Sequence, residues 1–338
     1  MKNIFSALVS IGAAVALWAT PSGAETTEVV IGAYVIPGSP TEIVFNDYAE
    51  RLKAESKGAL VPNMLIHGEG GAEEQVLTSL RRGRIHIASL STLVLSNLIP
   101  ELGLLSGPYL YNTVDEYDFV HDTYVLPRLK EFAAEKNLVA LRWLDLGQQH
   151  IYAKKPILTP ADIKGVPIRV SQDPAAKLFL EAAGADVIYL PSPDVIPALQ
   201  TGLVEGGITP TVAYAQTGLT PEAPHFTLVG YTQIGNLLVV NKAWLDGLPP
   251  DLAEIVTSTF TSSDEIRKIM RTMERDELAR QKEFGFTAHQ LTRAQLDTWK
   301  AAAQGVNEDL IQSIGGRAQE LYDLIIEGRT DYAIRIGG

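Results

Sequence analysis

The strongest constraint on the fold is an alternation of strand and helix patterns that is punctuated by helix-start residues in both halves of the chain. The strand-like segment 28–34 precedes a helix pattern in which Ser39 is the N-cap and Pro40 the first helical residue. The second half repeats this start signal with Asp173 and Pro174. Because helices that connect successive strands imply a largely parallel sheet, the pattern predicts an α/β fold in both halves.

The length predicts two domains once the N-terminal segment is set aside. Of 338 residues, the first 24 contain a lone Lys2, an apolar run over 4–18 and a small-residue ending at Ala24. This is typical of a secretory signal peptide that is cleaved after Ala24, and the run is shorter than the roughly 20 residues that span a bilayer. The 314 residues that remain exceed what one core usually fills.

Composition excludes several classes of function. The chain has no cysteine, which rules out disulfides, thiolate metal sites and a cysteine nucleophile. Its net charge of −12 becomes −13 without Lys2, and this balance argues against nucleic acid and anionic membrane surfaces as partners. No later stretch is long and apolar enough for insertion into a membrane, and the acidic balance does not forbid a small anion held by a local positive site.

One segment predicts an unusually long helix. Residues 250–284 contain neither glycine nor proline after Pro250, and Gly285 follows as a stop signal. A helix of about 35 residues would extend roughly 50 Å at 1.5 Å per residue. We therefore expect it to lie across both domains.

No motif indicates catalysis. The six histidines lack metal-ligand spacing, and the chain contains no GxSxG, phosphate-loop or dinucleotide-binding pattern. The adjacent Glu73 and Glu74 fit a solvated helix face better than an acid/base pair, since neighbours on a helix point about 100° apart. We therefore expect no enzyme, no cofactor and no metal site.

A longer motif connects the chain to a known family. The stretch "ADIKGVPIRV" (161–170) is followed by Gly184, by "ALQTG" (198–202) and by "EGGITP" (205–210). This series resembles the signature of the DctP-type extracytoplasmic solute-binding proteins of TRAP transporters. Further similarity runs through "GEGGAEEQVLTSLRRGRIHIA" (68–88) and the predicted long helix.

The resemblance changes the interpretation of Arg169. By local pattern alone Arg169 shares a strand face with Pro167, and the apolar residues occupy the other face, which indicates a solvated side chain. In the family the matching arginine points into a cleft and forms a two-pronged salt bridge with the carboxylate of an organic acid. A planar guanidinium matches the two carboxylate oxygens, so the resemblance implies that Arg169 is the carboxylate clamp.

Three positions depart from the family pattern. Gln149 stands where many members have a second arginine, Thr209 where many have asparagine, and Ser192 where an aromatic residue is common. One strong anion contact is therefore missing. A monocarboxylate is the first expectation for the ligand, while a dicarboxylate, a sugar acid or a less usual ligand stays open.

The remaining candidates come from segments that border the expected cleft. The second-half candidates are His150, Tyr152, Tyr214 and Gln233, each of which is equally compatible with an ordinary packed or surface position. The first-half candidates, which resemble the family's ligand contacts, are Tyr34, Glu74, Ser89 and Ser91.

The expected architecture is a two-lobed periplasmic-binding-protein fold with a ligand cleft between lobes and a long domain-spanning helix. Lobe I comprises 25–147 and about 235–274, and lobe II comprises 148–234 and about 275–338. The resemblance implies a periplasmic protein that closes on an organic acid and delivers it to TRAP transporter membrane subunits. An exported enzyme or a sensory ligand-binding protein on the same scaffold is the alternative.

Overall fold

A computed structural model describes residues 26–337. The expected signal peptide lies outside the described residues. The strands are β1 (Thr27–Gly32), β2 (Leu60–Leu65), β3 (Ile87–Ser91), β4 (Leu138–Ala153), β5 (Pro167–Val170), β6 (Asp186–Tyr189), β7 (Gly206–Pro210), β8 (His225–Thr227), β9 (Gln233–Asn241) and β10 (Thr287–His289).

The α-helices connect these strands and form a C-terminal group. They are α1 (Pro40–Glu55), α2 (Glu73–Arg81), α3 (Thr92–Ser96), α4 (Val114–Val120), α5 (Leu126–Ala134), α6 (Pro160–Ile163), α7 (Pro174–Ala182), α8 (Val195–Thr201), α9 (Thr211–Gln216), α10 (Lys242–Asp246), α11 (Pro250–Ser258), α12 (Ser263–Ala279), α13 (Arg293–Ala302), α14 (Val306–Ile314) and α15 (Ala318–Gly337). Short 3-10 helices cover Pro100–Ser106 and Ser192–Asp194, and a π-helical turn covers His121–Val125.

The predicted α/β fold and both helix starts are confirmed. Ser39 caps α1 by accepting a hydrogen bond from the Glu42 amide, and Asp173 caps α7 by accepting from the amides of Ala175 and Ala176. The strand pairs β1–β2, β1–β3, β5–β6 and β5–β7 are parallel, as strand–helix alternation requires.

One long strand joins the two parts of the sheet. The strand order is β2-β1-β3-β9-β4-β7-β5-β6; in addition, β8 pairs with β4, and β10 pairs with β8. Residues 138–148 of β4 pair with β9, while residues 149–153 pair with β7 and β8. β4 therefore passes from one α/β unit into the other, and the core residues divide accordingly into clusters on either side of this crossing.

The prediction of one continuous helix over 250–284 is wrong. The chain leaves helical geometry after α11 and starts α12 at a new N-cap, Ser262, whose hydroxyl accepts from the Glu265 amide. Phe260, only 2% exposed, packs edge-on against the rings of Phe45 and Tyr48. Burial of this aromatic ring at the break is a tertiary contact that the absence of glycine and proline does not reveal.

The shorter α12 still contacts both units. Near its start, the Ser263 hydroxyl donates to the carbonyl of Trp143 in β4. Three turns later, Glu274 accepts a 2.9 Å hydrogen bond from Thr211 at the start of α9, and Glu277 accepts from Gln216 at its end. The domain-spanning role therefore belongs to a helix of 17 residues, about 25 Å long.

The C-terminal helices pack against the N-terminal unit. Leu310, Leu321 and Ile325 belong to the same buried cluster as Val120 and Leu129. The expected division placed 275–338 entirely in the second lobe, whereas this packing attaches α15 to elements of the first. Helix α14 contacts both units, because its Val306 belongs to the buried cluster of Ile151 and Phe179. Within the described part of the chain, no helix combines the length and apolarity that a membrane crossing demands.

Candidate functional site

Strand pairing places Arg169 on the same sheet face as three other candidate residues. Arg169 in β5 and Tyr152 in β4 both lie opposite Gly207 of β7, and His150 lies opposite Thr209 two residues along. Since registered neighbours in a sheet share a face, Arg169, Tyr152, His150 and Thr209 occupy one face. Ile151, Ile168 and Ile208 alternate with them and belong to one buried cluster on the opposite face.

The Arg169 guanidinium is half-buried and positioned from one side only. Its Nε donates a 2.9 Å hydrogen bond to the Leu190 carbonyl just beyond β6. Among the described residues, no carboxylate forms an ion pair with it. Burial lowers the pKa of Arg169 below its usual value, and the nearby Tyr152 acts in the opposite direction. A desolvated cation with two uncommitted terminal nitrogens is suited to an anion from solution.

Tyr152 lies beside Arg169 and covers Gly207. A Cβ atom at position 207 would come within 2.3 Å of the Tyr152 hydroxyl oxygen. Burial raises the pKa of Tyr152 to about 12, with Arg169 acting against it, so the hydroxyl stays protonated at neutral pH. No described residue hydrogen-bonds this hydroxyl, which leaves it available as a donor beside the guanidinium.

Replacing Gly207 by alanine is expected to displace Tyr152 and damage the site. Overpacking costs about 1–3 kcal/mol of the free energy of unfolding, and we expect carboxylate affinity to fall about tenfold as well. Denaturant unfolding and ligand titration of one preparation measure both effects. Gly247→Ala is the control, since a Cβ there meets nothing closer than 3.4 Å. Equal behaviour of the two variants would contradict the placement of Tyr152.

A cavity of about 280 Å³ lies between the two units. It begins at Pro210, the residue after Thr209, and extends to the ends of β1 and β3 and the start of α2. The lining mixes apolar and polar side chains, with one carboxylate among them: Tyr34, Val35, Ile36, Ser39, Thr41, Glu73, Ser91, Leu146, Pro210, Val212, Ala213, Ile234, Asn236 and Met270. Of the first-half candidates, Tyr34 and Ser91 thus line the cavity.

Glu73 is the cavity carboxylate, one residue from the candidate Glu74. Its two oxygens accept hydrogen bonds from the amide (3.2 Å) and hydroxyl (2.6 Å) of Ser91. Burial raises the pKa of Glu73, whereas the Ser91 hydrogen bonds lower it. Glu74 is exposed and does not line the cavity. The expectation of a solvated Glu73–Glu74 face therefore fits Glu74 alone.

Neither Ser89 nor Ser192 lines the cavity. Ser89 is buried, and its hydroxyl accepts a 3.1 Å hydrogen bond from the amide of Asn236, which lines the cavity. Ser89 thereby orients a cavity residue that the sequence pattern did not single out. Ser192 is exposed, two residues after the carbonyl of Leu190 that holds Arg169.

Two glutamine candidates are not brought together with Arg169. Gln149 pairs with Pro210 and alternates with His150, so it shares the face of Ile151 opposite Arg169. Its buried Oε1 has no partner in the described structure. Gln233 donates to the Asp145 carboxylate and lines a separate cavity of about 220 Å³.

Tyr214 and His150 are held by protein contacts. The Tyr214 ring stacks on Phe226 at 4.3 Å, and its hydroxyl donates to the Ala223 carbonyl at 2.7 Å. His150 Nδ1 accepts from the Gly230 amide, and its Nε2 lies 3.7 Å from Glu274. Tyr214 is therefore a core residue, and His150 joins the sheet to α12.

The sheet face that carries Arg169 and the cavity that contains Glu73 are two features of the candidate site. Arg169, Tyr152 and Thr209 share the sheet face, while the cavity begins at Pro210, the residue after Thr209, and Arg169 is not among its lining residues. Between residues 26 and 337, no three histidine or acidic side chains are grouped to hold a metal ion.

Comparison with known proteins shows the family of this chain. Residues 31–313 match the family model described as bacterial extracellular solute-binding protein, family 7 (DctP). The chain is 22% identical over 317 residues to the C4-dicarboxylate-binding periplasmic protein DctP of Rhodobacter capsulatus, covering 93% of this chain and 95% of the relative.

Solved structures share the fold over nearly their whole length. The sugar acid binding protein DctPAm from Advenella mimigardefordensis, in complex with galactonate, has a TM-score of 0.82 at 24% identity, covering 90% of this chain and 99% of that one. A TRAP periplasmic solute binding protein from Sulfurospirillum deleyianum with bound succinate has a TM-score of 0.81 at 25% identity, with the same coverages. The expected two-lobed fold is therefore confirmed, and the chain belongs to the DctP family of bacterial extracellular solute-binding proteins.

Proposed function

We propose that this protein captures a small organic acid in the periplasm, with Arg169 clamping the carboxylate, and delivers it to the membrane subunits of a TRAP transporter. The observation that carries the proposal is a half-buried guanidinium with no carboxylate partner among the described residues, positioned by one backbone hydrogen bond at 2.9 Å. A C4-dicarboxylate-binding relative and similar structures with bound galactonate and succinate support an organic acid as ligand. Export with cleavage after Ala24 is part of the same proposal.

Capture proceeds by closure of the lobes around the ligand. Lobe I comprises 26–147, about 235–274 and α15, while lobe II comprises 148–234 and about 275–305, and α14 contacts both lobes. The hinge lies where β4, β9 and the end of α12 pass between them. A ligand that contacts both lobes favours the closed state, because only that state offers both sets of contacts.

A thermal-shift screen of residues 25–338 tests the proposal. The panel contains monocarboxylates, dicarboxylates, sugar acids, amino acids and neutral sugars, each at 1 mM. A ligand with a Kd of about 10 μM would stabilise the native state by about 2.7 kcal/mol, which raises Tm by several degrees.

The expected hits are carboxylates that leave Arg169→Ala unshifted, bind once per chain and are recovered unchanged. Hits confined to neutral molecules, or conversion of the ligand into a product, would refute the proposal.

A further inference from the structure

A second cavity, of about 220 Å³, lies apart from the cavity that contains Glu73. Its walls come from the loop before α4 and the start of α4 in the first unit, from the segment that leads into β9, and from the region around α13 in the second unit. The two cavities share no lining residue, and Arg169, Tyr152 and Thr209 line neither of them. The second cavity is therefore distinct from the candidate ligand site.

The wall of the second cavity carries one positive charge. Of the described residues that line it, Lys300 alone is charged. Its Nζ lies 5.8 Å from the centre of the Tyr109 ring, and no described carboxylate forms an ion pair with it. A lysine ammonium group offers three hydrogen-bond donors and no acceptor. Lys300 therefore presents uncommitted donors and an unneutralised charge to an occupant of the cavity.

Two carboxylates contact lining residues but do not line the cavity themselves. The Asp145 carboxylate accepts a hydrogen bond from Gln233, and the Glu116 carboxylate accepts one from Asn112. Each of these carboxylates also has an arginine nitrogen within 3.6 Å. Because opposite charges already compensate both groups, their repulsion of an incoming anion is reduced.

Two lining amides add further donors. The side chains of Gln148 and Gln290 form no hydrogen bond with another described residue, and both are at least partly exposed. A primary amide has two N–H donors. An anion in the second cavity can therefore receive hydrogen bonds from neutral donors in addition to the ammonium group.

Tyr109 gives the cavity a fixed wall. Its φ of 52° lies in the left-handed region, which residues other than glycine rarely adopt. The Tyr109 amide donates a 2.6 Å hydrogen bond to the Tyr231 carbonyl, and its ring packs edge-on against Phe179 of α7. Such a conformation persists only where surrounding contacts hold it. An occupant therefore does not have to order this wall, which lowers the cost of binding.

From these observations we propose that the second cavity binds a small monoanion through Lys300. A water molecule takes about 30 Å³ in the liquid, so about 220 Å³ has room for an anion of the size of a short carboxylate. A single negative charge complements the single lining cation and gains charge-assisted hydrogen bonds, whereas a neutral molecule leaves the charge unpaired. Arg169 takes no part in this site, so the inference does not depend on the proposed function.

Trifluoroacetate is the probe that tests the inference. Its binding is followed by ¹⁹F NMR in a chloride-free HEPES buffer at pH 7.5, with trifluoroethanol as a neutral probe of similar size. The titration uses both the wild-type protein and Arg169→Ala, because the variant removes the guanidinium of the candidate ligand site. We expect trifluoroacetate still to saturate Arg169→Ala, and trifluoroethanol to bind at least about tenfold more weakly.

Substitutions of Lys300 locate the bound probe. In the Arg169→Ala background, Lys300→Ala should raise the Kd of trifluoroacetate at least about tenfold, because the charge-assisted hydrogen bonds are lost. Lys300→Arg keeps the charge and should leave the Kd within about threefold. Lys155→Ala is the matched control, since this exposed lysine lines neither cavity. A fluorescence melting curve checks that each variant folds.

Three results would overturn the inference. If trifluoroacetate binds the wild-type protein but not Arg169→Ala, the probe occupies the candidate ligand site instead, and organic-acid capture stands. If Lys300→Ala and Lys155→Ala give the same Kd, Lys300 does not hold the anion. If trifluoroethanol binds as tightly as trifluoroacetate, the cavity does not select a negative charge.

Discussion

Arg169→Ala is expected to weaken binding of the carboxylate ligand by about 2–5 kcal/mol, which is a factor of roughly 30 to several thousand in Kd. The loss is large because the variant removes the guanidinium that shares this sheet face with Tyr152 and Thr209. Titration calorimetry at constant pH and salt measures it.

Two further expected results distinguish loss of the Arg169 carboxylate clamp from general damage to the protein. Arg169→Lys keeps the charge but cannot offer paired planar donors, so most of the affinity should still be lost. Stability should change little in either variant, because within the described structure the side chain makes one hydrogen bond, to the Leu190 carbonyl. A Kd within threefold of the wild-type value for Arg169→Ala would show that the carboxylate binds elsewhere.

Arg267→Leu is expected to lower the free energy of unfolding by about 3 kcal/mol. Arg267 on α12 is only 2% exposed, and both terminal nitrogens donate to the Asp122 carboxylate at 2.6 Å. Its Nε lies 3.1 Å from Asp118. Removing the guanidinium leaves both carboxylates without this cation, although their partial exposure lets water compensate in part. Denaturant unfolding monitored by fluorescence measures the change.

An exposed arginine of the same helix provides the control for that experiment. The side chain of Arg275 is 73% exposed and pairs only with its neighbour Asp276. Surface pairs of this kind contribute about 0–1 kcal/mol, so Arg275→Ala should be nearly neutral. If both variants lost the same free energy of unfolding, the buried Arg267–Asp122 pair would not be what stabilises the packing of α12 on the first unit.

Local signals predicted the elements well where the deciding interaction is itself local. Ser39 and Asp173 cap their helices through backbone amides within three residues, so the sequence alone was sufficient. The break before Ser262 depends instead on Phe260 reaching the rings of α1, more than 200 residues earlier. No window of neighbouring residues contains that information.

Tertiary contacts that local sequence does not contain also decide which single residues reach the candidate site. Adjacent helix residues point about 100° apart, and only the docking of α2 beside Ser91 decides that Glu73 rather than Glu74 faces the cavity. Gln149 lies just after an irregularity in β4, between Asp145 and Gly147, where the pairing register shifts. A shift by one residue exchanges the faces of a strand, so alternation counted from upstream could not place this side chain.

A crystal structure of residues 25–338 with the best carboxylate from the screen tests the Arg169 clamp most directly. We expect a closed cleft with two contacts of about 2.7–2.9 Å between the Arg169 guanidinium and the ligand carboxylate. A ligand carboxylate bound away from Arg169, with the guanidinium still facing solvent, would contradict it.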